Sequence, residues 1–222
     1  FFSTFKIGIQ KEGRTALRII PDVKAANILM NVYAKLGDVT SALDLLDQMH
    51  HGTGKDVPKM RPNIVTYNTL LDACHIGGEL DIALRIKDEL ELAGLRPDAR
   101  TYTTLIATVA RKATAISGAN DPTLAFSILE EMQQRHVRPN GMTFSALIDV
   151  CGRCRRSDLA LKGLRIMLDQ KTSEQGYLES NNKNDKIESP QKYTLYNEVG
   201  AWTAAINACG KAGRIESAVK LF

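Results

Sequence analysis

Five copies of one short pattern divide this chain into units, and that repetition constrains its fold more than any single residue. The clearest copy is Ile64-Val65-Thr66-Tyr67-Asn68-Thr69-Leu70-Leu71-Asp72-Ala73. Altered copies begin at Val23, Ala99, Gly141 and Val199. Unit starts at 23, 64, 99, 141 and 199 leave one interval of 35 residues, the others exceeding it by 6, 7 and 23. The excess has loop composition near 50–60, 113–120 and 171–198, the last carrying Asn181-Asn182-Lys183-Asn184-Asp185-Lys186. A fixed period of this size marks an array in which each unit packs on its neighbours.

Two helices are readable per unit. In the second unit one spans about Val65 to His75 and is broken by Gly77-Gly78. The other spans about Leu80 to Ala93, with Leu80, Ala83, Leu84, Ile86 and Leu90 at helical spacing. Gly94 suits a left-handed end, Pro97 stops the helix, and Asp98 stands where an N-cap belongs. Arg61-Pro62-Asn63 and Arg138-Pro139-Asn140 repeat the punctuation. Helix pairs repeated in this way bury their apolar faces only by stacking. The expected fold is therefore all-α: an α-solenoid forming a right-handed superhelix over 23–222. Residues 1–22 would be a partial preceding repeat or capping helix, and the fifth unit is cut off. The absence of an initiator Met and the stop inside a helical pattern read as a segment of a longer polypeptide.

Composition excludes little. Lys and Arg number 29 against 25 acidic residues, a charge of +4 that is compatible with an anionic partner without requiring one. No apolar run approaches the roughly 18 to 20 residues of a membrane span. Four cysteines without secretory context argue against a disulfide framework. Cys151-Gly152-Arg153-Cys154 resembles a metal or redox pair, but Cys74, Cys151 and Cys209 share the eleventh slot, a buried helix position. His50, His51, His75 and His136 form no metal-binding spacing, and Asp44, Asp47, Asp72, Asp81 and Asp88 scatter along helix faces. Neither a deaminase signature nor a glycine-rich phosphate loop occurs. The sequence points to no catalytic residue, metal or cofactor.

Val-Thr-Tyr-Asn-Thr-Leu-Leu at 65–71, Gly-Lys-Ala-Gly-Arg at 210–214, the Arg-Pro-Asp/Asn triplets, Ala-Leu-Asp-Leu-Leu-Asp-Gln-Met at 42–49 and Ala-Phe-Ser-Ile-Leu-Glu-Glu-Met at 125–132 resemble the pentatricopeptide repeat family. The tetratricopeptide repeat fails on period and on motif, since Trp202 is the only tryptophan and lacks the matching tyrosine. The resemblance implies single-stranded RNA as partner, in a chloroplast or mitochondrion, with one base read per repeat. It puts the reading in the fifth residue of each unit and the last residue before the next.

The fifth slots are Asn27, Asn68, Thr103, Ser145 and Thr203, all short and polar amid apolar neighbours. The last-residue column holds Asn63, Asp98 and Asn140, which are ordinary N-caps as well as candidate readers. Second-slot Lys24, Val65, Arg100 and Met142 would bracket bases, with Gly200 in the fifth unit. Thirteenth-slot Lys35, Arg111, Arg153 and Lys211 would hold phosphates, with Ile76 breaking the stripe. The implied target runs C/U-U-A-purine-purine along the chain. The alternative is a protein-interaction scaffold, such as a subunit of an organellar ribosome, polymerase or other RNA-processing complex.

Overall fold

In a computed structural model the described residues are 22–52, 59–115, 121–181, 191–214 and 216. They form helices α1 (Val23–Leu36), α2 (Val39–His51), α3 (Ile64–Gly77), α4 (Leu80–Leu92), α5 (Ala99–Ala115), α6 (Thr123–Gln134), α7 (Gly141–Arg153), α8 (Ser157–Asn181) and α9 (Gln191–Lys211). No strand occurs among them. The arrangement is an α-solenoid, and no helix among the described residues is long and apolar enough to cross a membrane.

The first helices α1, α3, α5, α7 and α9 pack in a continuous row, each on the next. The second helices α2, α4, α6 and α8 each pack on the first helix of their own unit and of the following one. Their backbones do not meet. The row whose members touch is therefore the inner layer, and the array curves around it. Between the layers, Tyr67, Tyr102 and Phe144 fill equivalent positions, followed by Leu70, Leu105 and Leu147 and then Leu71, Ile106 and Ile148, all buried. Burying one such side chain contributes about 1.5–3 kcal/mol, so each unit depends on the neighbour that covers it.

The buried tyrosines also carry polar links between successive second helices. The Tyr102 hydroxyl donates to Glu131 of α6 at 3.2 Å, and Lys87 of α4 reaches the same carboxylate at 2.7 Å. Tyr67 donates to Glu89 at 3.4 Å, with His50 of α2 beside it. Burial and the neighbouring Glu89 push the Tyr67 hydroxyl up to about 12, so it stays protonated and donating.

Helix ends follow the local chemistry. Asp22, Asn63, Asp98 and Asn140 each accept a hydrogen bond from the backbone N–H three residues on. Gly37, Gly78 and Gly94 end helices with positive φ, where no Cβ is strained. The four thiols are free and buried. Desolvation lifts Cys74 and Cys151 to about 12, as expected of core side chains.

Three expectations about the insertions need correction or delimiting. His50 and His51 end α2 instead of opening a loop, and the chain returns with Met60 N–H donating to Met49 C=O at 2.8 Å. α5 extends through Ala115, three residues into the expected loop at 113–120. The 171–198 region, expected as loop, is helical up to Asn181 and again from Gln191. Its polar composition misled because no proline interrupts 157–181. Once a helix is nucleated, each further residue adds a hydrogen bond at little cost. Residues 1–21, 53–58, 116–120 and 182–190 lie outside the described residues, and with them most of the expected preceding repeat.

Candidate nucleic-acid interface

The N-terminal turns of the first helices bring fifth-slot and cap residues together across unit boundaries. Asn27 of α1 donates from Nδ2 to Asn63 Oδ1 at 3.5 Å. Asn68 of α3 donates from Nδ2 to both Asp98 carboxylate oxygens, at 3.1 and 3.2 Å. Thr103 of α5 and Asn140 do not touch directly, but both contact the Thr143 hydroxyl, at 2.8 and 3.1 Å. Side chains 36 and 30 residues apart, as in the first two pairs, meet because each cap stands at the start of the next first helix.

Sequence reasoning missed the third member of each group. Thr66, Thr101 and Thr143 occupy the third slot, and the first two donate to Asn27 Oδ1 and Asn68 Oδ1, both at 2.7 Å. The column was visible in the aligned copies as Thr-Tyr, Thr-Tyr and Thr-Phe. Only the stacking reveals that it faces the preceding unit. Asn68 is correspondingly buried, at 4% exposure.

The fourth boundary differs. The N-cap has no counterpart there, since α9 runs unbroken through the unit start. Alanine 201 replaces the threonine, and a Cβ on Gly200 would sit 2.8 Å from the Ser145 hydroxyl. Thr203 is exposed on α9.

Of the second-slot residues, Val65 and Met142 are exposed at 51% and 63%. Lys24 is also exposed. Arg100 pairs with Asp72 on the preceding first helix, and Thr104 donates to the same carboxylate at 3.4 Å. Thirteenth-slot Lys35, Arg111, Arg153 and Lys211 are all exposed, and Arg153 contacts Asp149 one turn earlier at 2.7 Å. His75 registers their field. Burial first, then the positive charge of Arg111 and of Arg153, hold it below the ordinary histidine value, against an opposing pull from Asp72. Cations of the third and fourth units thus act on one point of the second, where Ile76 supplies no charge of its own.

The chain matches the pentatricopeptide repeat domain over residues 55–112 and 85–154. It matches the PPR repeat over 25–51, 142–171 and 200–222. A chloroplastic pentatricopeptide repeat-containing protein of Arabidopsis thaliana is 31% identical over 130 residues, 58% of this chain and 15% of that protein. The mitochondrial 15S rRNA processing factor of Yarrowia lipolytica is 27% identical over 161 residues, 72% of this chain and 20% of that protein. The chain thus spans a fifth or less of the length of these relatives. The crystal structure of a maize pentatricopeptide repeat protein superposes with a TM-score of 0.60 at 21% identity, covering 92% of this chain and 24% of that one. The corresponding domain of Arabidopsis thaliana protein-only RNase P 1, solved in complex with tRNA, gives 0.53 at 15%, covering 86% and 83%. At such identities the likeness is one of fold. With family matches over well more than half its residues and this stacked architecture, the chain belongs to the pentatricopeptide repeat family.

Proposed function

We propose that this segment binds single-stranded RNA sequence-selectively, one base per unit, within organellar RNA metabolism such as transcript stabilisation, processing, splicing or translation. The observation that carries the reading is the pairing of fifth-slot and cap side chains across consecutive units. Each cap has one oxygen committed to its helix N-terminus, so its outward atom is decided by residue type. For Asn63 and Asn140 that atom is the Nδ2 donor; for Asp98 it is the second carboxylate oxygen, an acceptor that also takes the Asn68 Nδ2 hydrogen bond at 3.1 Å and keeps a further lone pair.

That difference matches the ring nitrogen of a base. N3 of cytosine and N1 of adenine accept, whereas N3–H of uracil and N1–H of guanine donate. The outward N–H of Asn27 and of Asn68 suits the O2 acceptor common to both pyrimidines. Asn27 with Asn63 then favours C over U, Asn68 with Asp98 selects U, and Thr103 with Asn140 selects A. Val65, Arg100, Lys24 and Met142 would bracket the bases, apolar and guanidinium surfaces both stacking on a base face. Lys35, Arg111, Arg153 and Lys211 would follow the phosphates. The relatives are named for chloroplast and mitochondrion, and one for rRNA processing, which supports the organellar setting.

Fluorescence anisotropy of a labelled oligonucleotide carrying C-U-A in the predicted register tests the proposal. Replacing U opposite Asn68 with C lowers affinity about tenfold, the effect of about 1.4 kcal/mol. Asn68→Thr restores binding when that base becomes G. Absence of RNA affinity at low salt, together with tight binding to a protein partner, would establish the scaffold function instead.

A further inference from the structure

The third-slot threonines tie each reader to its neighbour. Each hydroxyl accepts the cap residue's own backbone N–H, at 3.2 Å from Asn63, 3.1 Å from Asp98 and 3.3 Å from Asn140. Each also lies 2.7–2.8 Å from the fifth-slot oxygen of the preceding unit: Asn27 Oδ1, Asn68 Oδ1 and Thr103 Oγ1. All three threonines are fully buried. A hydroxyl carries a single proton. Given to Asn27 or Asn68, it commits the carboxamide oxygen inward and leaves the N–H pair facing the cap and the open edge. Without that anchor the carboxamide keeps only its contact to the cap, one of 3.5 Å for Asn27 and the bonds to the Asp98 carboxylate for Asn68, and its last torsion is freer to turn. Its choice between a base acceptor and a base donor is then weakened.

The fourth unit keeps its fifth-slot Ser145 but lacks the other two parts of this device. Ala201 has no hydroxyl, the cap is replaced by continuous helix, and Gly200 brings no bracketing side chain, a Cβ there lying 2.8 Å from the Ser145 Oγ. We infer that the third-slot threonine is a positioning residue on which the base selectivity of the preceding unit depends, and that the fourth unit, having none, accepts any base. The inference rests on the RNA reading proposed above and departs from the target that the resemblance implies at one position: Ser145 selects no purine. The readable run is three bases followed by a spacer.

Two comparisons on the full chain test it, using the same labelled oligonucleotides. In the wild-type protein, exchanging the base opposite Asn68 changes affinity about tenfold, whereas exchanging the base opposite Ser145 changes it less than about twofold. Thr101→Val flattens the response opposite Asn68 to less than about threefold and leaves the response opposite Asn27 intact, while Thr101→Ser preserves both. A uniform drop in affinity with selectivity retained marks a purely structural threonine and overturns the inference. So does a fourth position as selective as the second. A wild-type protein that binds RNA without discriminating opposite Asn68 instead removes the code itself. If Thr101→Val loses its helical circular dichroism, Thr66→Val gives the same reading opposite Asn27.

Discussion

The Asn68 carboxamide nitrogen lies 3.1 Å from one oxygen of Asp98 and 3.2 Å from the other, across the boundary between two repeats. One Asp98 oxygen also accepts the Thr101 N–H at 2.9 Å, so a residue that starts a helix in one unit completes the polar edge of the unit before it. Asp98→Asn keeps the cap, because Asn and Asp cap equally well, but turns the outward acceptor into a donor. The expected outcome is a switch of preference from U to C opposite Asn68, with the thermal midpoint nearly unchanged. Anisotropy with the paired oligonucleotides and a melting curve check both halves.

Ile76 stands where four other units carry a cation. It is 37% exposed, so a long side chain has access to solvent there. Ile76→Lys is expected to add about one phosphate contact, steepening the dependence of log affinity on log salt by about 0.7. An unchanged slope would remove this column from the phosphate path.

His136 stands at the end of α6 with φ 59°, where the second unit has Gly94 with φ 76°. Both residues close a helix by the same pair of backbone bonds. A side chain in this conformation costs about 1–2 kcal/mol. His136→Gly is therefore expected to stabilise the array by about 0.5–1 kcal/mol. Gly94→Ala is expected to destabilise it by a similar amount, through the backbone alone, since nothing lies within 4 Å of a Cβ at Gly94. Urea unfolding of the two variants measures both.

His75 carries a buried ring nitrogen without a hydrogen-bond partner, beside the charges of Arg111, Arg153 and Asp72. Its folded value is depressed from the ordinary 6.5. In that window the unfolded chain binds more protons than the folded one, so stability is complete above the ordinary value and falls as pH drops through it toward the folded value. RNA-free protein should lose stability between about pH 7 and pH 5, and His75→Gln should flatten that loss. Denaturant midpoints at stepped pH decide the point.

What the sequence made legible was whatever a short window contains. The caps Asn63, Asp98 and Asn140, the glycine stops and the apolar columns are local chemistry repeated, and each falls where its unit demands. The pairing of Asn68 with Asp98 followed from the resemblance rather than from spacing. Two features were hidden for physical reasons. Thr101 and Asn68 are 33 residues apart, and their contact exists only because one first helix lies along the next. The Arg100–Asp72 pair arises in the same way. The helix through 171–181 escaped because polar residues extend a helix as readily as they form a loop, once a packed helix precedes them.

The shared duty of the cap residue bears on how such a protein changes its target over time. The helix start needs one acceptor oxygen and is indifferent to whether the other terminal atom is oxygen or nitrogen. On the RNA reading proposed above, a single nucleotide change between Asp and Asn codons would change the base preference while keeping the helix cap. Most binding surfaces acquire a new specificity at the expense of stability, which restricts the mutational routes open to them. On that reading the two quantities would be carried by different atoms of the same side chain, and an array would drift from one transcript to another through folded intermediates.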